Sequence, residues 1–168
     1  MANYPIVTLG NPVLRSPCDP VTDFGPALSG LVDDLFAAMY RANGVGLAAN
    51  QVGVGLRVFV YDCPDDDGVR HVGHVVNPGP VETGGELIEA DEGCLSLPDL
   101  AFSTPRWSLA VVDGVDRDGR RVRVEGTGYF ARCLQHETDH LNGRVYVDLL
   151  AGRLRREALR AVREATWT

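Results

Sequence analysis

From Asp23 to Asn43 the apolar residues Leu28, Leu31, Val32, Leu35, Phe36 and Met39 recur at the spacing of a single helical stripe, which predicts an amphipathic helix. Thr22 or Asp23 is placed to cap it, Pro26 suits its first turn and Gly44 is placed to stop it. The pattern then changes period. RVFVYD (57–62) and RHVGHVVNP (70–78) read as strands on either side of the polar turn DCPDDDG. SLAVVDG and RRVRVEG flank VDRDG, which predicts a hairpin. GTGYFARCLQHETDHLNG reads as a second helix closed by Asn142-Gly143, and Ala151 to Ala165 as a third, with Leu154, Ala158, Ala161, Val162 and Ala165 on one side. Helices and antiparallel hairpins without βαβ repetition predict an α+β fold: one compact domain over residues 1–168, antiparallel sheets around the second helix, and further helices near each end.

The 168 residues suit one core. The N-terminus has no charged region followed by an apolar run, and no stretch is apolar enough to span a bilayer, so a cytoplasmic protein is expected. All 16 basic residues are arginine, which excludes lysine Schiff-base chemistry and a lysine-dependent phosphate loop. A net charge of −7 argues against general nucleic-acid binding. The charge is uneven, with five arginines against Glu157 and Glu164 from Arg153 onward. Cys18, Cys63, Cys94 and Cys133 form no CxxC pair and read as thiols, ligands or core residues; Cys18 and Cys63 read as structural. The three aspartates of the turn lack the later glutamate of a calcium loop and read as a solvated turn. His71 and His74, three apart on a strand, point to opposite faces and are not a chelating pair.

Chemistry concentrates in CLQHETDHLNG, Cys133 to Gly143. Residues four apart share a helix face, so His136 and His140 can chelate one ion, unless they merely occupy a solvated face. Glu137 falls on the apolar stripe of Phe130, Cys133, Leu134 and Leu141, where desolvation would raise its pKa and make it a usable base. The polar groups of Gln135 and Asp139 lie nearby, with partners the pattern does not reveal. A catalytic site usually has three protein ligands and one open position. Cys133 shares the histidine face, but Cys94, in the separate segment DEGCLSLPD, closes a tetrahedron more easily, and Cys133 reads better as a small core residue. GVGLAANQVG, Gly44 to Gly53, follows a helix and precedes a strand, the wrong context for a dinucleotide fingerprint. Its small residues and Gln51 suit either close substrate approach with an amide donor or an ordinary glycine-rich connection.

Taken together, Gly44–Gln51 (GVGLAANQ), Glu92–Ser96 (EGCLS) and His136–His140 (HETDH) resemble peptide deformylase in order and spacing, and the resemblance covers most of the chain. It implies that Cys94, His136 and His140 hold one divalent ion, Fe2+ by resemblance, with Zn2+, Ni2+ or Co2+ as alternatives, whereas ligand chemistry alone suggests zinc. It implies that Glu137 is the general base and acid, that Gln51 and the Leu95 N–H steady the oxyanion, and that Val45, Gly46 and Cys133 contact the substrate. The implied reaction removes the formyl group from formylmethionine at the start of nascent proteins, with metal-bound water as nucleophile. Where some members of the family carry an arginine beyond the cysteine motif, this chain has Leu100-Ala101-Phe102. A monomer is expected, without DNA or membrane partners, and the arginine-rich terminal helix offers either a solvated face or a contact to ribosomal RNA. Two other readings compete. An HExxH peptidase would need a downstream ligand, for which Asp148 is the candidate, and a structural metal site would need a fourth protein ligand.

Overall fold

The structure, a computed structural model, describes residues 3–167. In chain order it comprises α1 (Pro26–Arg41), β1 (Gly46–Ala48), β2 (Val58–Pro64), β3 (Arg70–Val76), β4 (Glu82–Cys94), β5 (Leu97–Val115), β6 (Arg121–Thr127), α2 (Gly128–Leu141) and α3 (Gly152–Glu164). The strands pair antiparallel in the order β1-β2-β3-β5-β4, and β6 also pairs with β5. The α+β architecture expected from the sequence is present, with α2 packed against β1, β2, β5 and β6.

The predicted helices form, and their apolar stripes face inward: Leu28, Leu31, Val32, Leu35 and Met39 on α1, and Ala158 on α3, are buried. The ends of α1 differ from expectation. Its N-cap is Gly25, with no side-chain cap, so neither Thr22 nor Asp23 holds the first turn. At the other end Asn43, with φ 55, takes the left-handed position assigned to Gly44. Gly44 N instead closes the turn by donating to Met39 O at 3.0 Å.

β4 and the first half of β5 were not predicted. Glu82–Cys94 is a sheet edge exposed along nearly its whole length, so neither of its faces carries an apolar alternation. Pro105 also interrupts the strand pattern of β5. It is tolerated there because it faces β4 through Glu89, while β6 pairs only with Leu109–Val115, so no second neighbour needs its missing N–H.

The three aspartates do more than turn the chain. Asp65 Oδ1 accepts from Asp67 N at 3.0 Å and Val69 N at 2.9 Å, closing the β2–β3 turn. Asp66 Oδ1 accepts from Tyr129 N at 2.9 Å and so caps α2 from another element. Thr127, the local N-cap, provides no side-chain bond. Within β3, the His71 ring stacks on Phe130 with centroids 4.3 Å apart and its Nε2 lies 3.0 Å from Asp65 Oδ2, while His74 Nε2 accepts from Arg117 N at 2.9 Å, so the two histidines are engaged with different partners.

Candidate metal centre

Three segments meet at the floor of a cleft of about 520 Å³. α2 brings His136 and His140 to one face, with the two ring nitrogens Nε2 3.2 Å apart. The end of β4, irregular between Gly93 and Cys94, turns the Cys94 thiol toward them, with Sγ 3.2 Å from His140 Nε2. The three donor atoms lie within 4.8 Å of one another, the only such group among the described residues. One soft thiol and two imidazole nitrogens suit a first-row divalent ion. Burial lowers the pKa of His140, whereas at His136 the lowering by burial is outweighed by the contacts to Cys94 and Glu92, which raise it. No fourth histidine, cysteine or carboxylate joins the set among the described residues.

Glu137 lies beside the donors on the buried side of α2, 4% exposed. Burial raises its carboxyl to about 7, helped by the Glu92 charge and opposed by His136 and Arg106. Its Oε2 has no hydrogen-bond partner among the described residues, so a buried acceptor remains free at the cleft floor.

The glycine-rich segment runs along the same cleft as β1 followed by a short 3-10 turn, Ala49–Val52. Gln51 is anchored by its Oε1, which accepts from Ala48 N at 3.0 Å. Its Nε2 points to Ser96 Oγ at 3.2 Å and Cys94 Sγ at 3.6 Å. Asn50 Nδ2 donates to His140 O at 2.6 Å and ties this segment to α2. Val45, Gly46, Cys133 and Leu95 all line the cleft, as does Leu100 of the rim segment. Cys133 is buried rather than ligating; Cys63 beside it and burial hold its thiol protonated.

Sequence reasoning missed the layer behind the ligands. Glu92, quoted only as a letter of its motif, is 5% exposed and accepts from His136 Nδ1 at 2.6 Å. Such a bond fixes the tautomer that leaves Nε2 for a metal. Burial alone would raise the Glu92 pKa, yet the bonds from His136 and Arg106 hold it well below the carboxylate range. Arg106, inside β5, bonds Glu92 through Nε at 3.0 Å and Nη2 at 2.6 Å, and Asp139 through Nη1 at 2.6 Å. That answers what Asp139 is for. Gln135 spans the backbone N and O of Trp107 at 3.1 and 2.8 Å. Asp148, the candidate downstream ligand of a peptidase site, instead binds Arg15 at 2.6 Å and Val145 N at 2.9 Å.

A family model described as polypeptide deformylase matches residues 3–156. The chain is 61% identical over 163 residues to peptide deformylase 2 of Streptomyces avermitilis, covering 97% of this chain and 88% of that protein. Identity to peptide deformylase 2 of Streptomyces coelicolor is also 61%, covering 97% and 91%. Among solved structures, a peptide deformylase from Legionella pneumophila superposes with a TM-score of 0.85 at 38% identity, covering 97% and 95%. The Ehrlichia chaffeensis peptide deformylase in complex with actinonin gives 0.87 at 34% identity, covering 100% of each chain.

Proposed function

The chain belongs to the polypeptide deformylase family, and from that premise we propose that it removes the N-formyl group from the initiating formylmethionine of nascent proteins by the residues of the cleft floor. The observation that carries this reading is the convergence of Cys94, His136 and His140 beside a buried glutamate with a free oxygen. The donor set would hold one divalent ion. Such an ion supplies a Lewis acid and brings the pKa of a water to about 7.

The residues of the chain do the rest. Glu137, through Oε2, takes the proton of the attacking water and passes it to the leaving nitrogen, so formate and a free amine result and the carboxylate is regenerated. Its raised pKa suits both halves of that transfer. Gln51 Nε2 and the Leu95 N–H would donate to the oxygen that becomes negative; a donor of this kind typically contributes ~10²–10³ in rate. Val45 and Cys133 line the pocket for the methionine side chain, and Gly46 lets the substrate backbone approach. The donor set would hold Fe2+ as the working ion; activity of that form is expected to decay in air and to survive anaerobically, with Ni2+ or Co2+ forms more air-stable, and equal stability of the iron form with and without oxygen would overturn it.

The chain acts as a monomer in the cytoplasm, where its nascent substrates appear, with residues 1–168 serving as a single domain. The described part contains no helix long and apolar enough to cross a membrane. α3 offers a docking face for ribosomal phosphate. Arg153 and Arg160 are paired with Glu157 and Glu164, and Arg155 Nη1 donates to Asp148 O at 3.1 Å, while all five arginines of the helix are exposed.

One experiment tests the core of this reading. The metal-loaded protein is incubated with a formyl-Met peptide and with its unformylated twin, and the Glu137→Ala variant is run in parallel. Formate release from the first peptide alone is expected, with Glu137→Ala binding metal but nearly inactive. Peptide-bond cleavage, no reaction, or more than about a tenth of the activity in Glu137→Ala overturns it.

A further inference from the structure

Arg132 lies on the polar face of α2, one turn before His136, and it is 8% exposed. Burying a guanidinium is costly unless its donors are met. Here they are met by three residues on two strands, β4 and β5. Nη1 donates to Glu92 Oε2 at 2.8 Å and to Thr104 O on β5 at 2.9 Å, and Nη2 donates to Ile88 O on β4 at 3.0 Å. The side chain lines the cleft wall, but these bonds leave its fork committed to the protein.

Those bonds fall where the donor set needs rigidity. Cys94 ends β4, and both histidines lie on α2. The two elements are separate in sequence and are joined behind the site by Glu92. Each oxygen of that carboxylate takes two donors. Oε1 meets His136 Nδ1 and Arg106 Nη2, and Oε2 meets Arg106 Nε and Arg132 Nη1. Arg106 reaches from β5 to α2 through Asp139, and Arg132 reaches back from α2 to β4 and β5. The two arginines cross the gap in opposite directions, and two buried or half-buried carboxylates balance them.

We propose that Arg132 is a positioning residue that braces the Cys94-bearing strand against the histidine-bearing helix and so sets the geometry of the donor set. The inference rests on the reading of Cys94, His136 and His140 as metal ligands. Without Arg132, Glu92 keeps Arg106 and His136 but loses one of the two donors on Oε2. The helix also loses its direct bonds to Ile88 O and Thr104 O. Loss of a partner behind a metal ligand typically weakens metal binding about 10- to 100-fold.

The test uses the full chain loaded with Co2+, whose visible spectrum and thiolate charge-transfer band report the Cys94 and histidine geometry. Arg132→Met keeps the packing of the stem and removes the fork. Arg132→Lys keeps the charge but presents one ammonium to three acceptors. Wild type is expected to bind Co2+ with a thiolate band. Both variants are expected to fold, to bind Co2+ about 10-fold or more weakly, and to show a shifted band. Wild-type affinity and spectrum in Arg132→Met overturn the proposal while leaving the ligand reading intact. Wild-type affinity in Arg132→Lys overturns it as well, because charge alone would then suffice. If Arg132→Met does not fold, Arg132→Lys decides. Failure of the wild type itself to bind Co2+ overturns both the ligand reading and the proposal.

Discussion

Adding one methyl group at Gly46 should disable the base without removing the metal. A Cβ built there would stand 2.9 Å from Glu137 Cδ and 3.0 Å from Cys133 Sγ, with Glu137 Oε1 nearer still. Ordinary contact begins at 3.4 Å, so the carboxyl carbon would have to retreat by about 0.5 Å and its leading oxygen by about 1 Å. Two responses compete. If the backbone yields, the cost is that of overpacking, about 1–3 kcal/mol, or about 2–4 °C in Tm per kcal/mol. If the carboxylate yields, stability changes less and the base is misplaced; about 1 Å of misplacement costs about 10²-fold in rate, near 2.7 kcal/mol of barrier. The carboxylate is the softer partner, because Oε2 has no hydrogen bond to hold it. The expected result for Gly46→Ala is therefore a fall of about 10²-fold in kcat/KM, carried mainly by kcat, with metal content unchanged. Formate release from a formyl-Met peptide gives the rates, elemental analysis gives the metal, and a melting curve separates the two responses. Gly55→Ala is the control, since a Cβ there meets nothing within 4 Å. A Gly46→Ala enzyme within about threefold of wild type, less than about 1 kcal/mol of barrier, would refute the argument.

Cys94→Ser should lose or badly weaken metal binding, whereas Cys133→Ala should keep the metal and change mainly KM; metal content of both variants checks this, and the reverse pattern would move the ligand onto α2. Asp66→Ala should lower stability by about 1 kcal/mol, about 2–4 °C in Tm, because it removes the cap of α2; an unchanged melting curve would show that Tyr129 N needs no such partner. Reversing Arg155, Arg156 and Arg163 to Glu should abolish co-sedimentation with ribosomes at low salt while sparing activity on a short formyl peptide; equal sedimentation of both proteins, or none by the wild type at low salt, would reduce α3 to a solvated face.

The helices and the central hairpins were legible because each buries one face, and burial of one face writes a period into the sequence. The grouping of His136, Glu137 and His140 was legible for a related reason: on a helix, positions 136, 137 and 140 fix directions in space. Cys94 was favoured over Cys133 by spacing, since closing a tetrahedron favours a ligand from elsewhere in the chain, and the fold brings the Cys94 thiol within 4.8 Å of the two histidine nitrogens. β4 left no such trace. It is an edge exposed along most of its length, with Glu92 its one buried residue, so its sequence reads as polar loop. The N-terminal caps were out of reach, because the first turn of α2 is capped by Asp66, more than sixty residues away, whereas the Asn142-Gly143 stop of the same helix was legible. The layer behind the metal ligands was likewise decided by tertiary structure alone. Glu92, Arg106, Arg132 and Asp139 are individually ordinary charged residues on three separate elements. Their pairing has no sequence period, because hydrogen bonds among buried charges are set by which strands and helices come together, and only the folded chain brings them within reach.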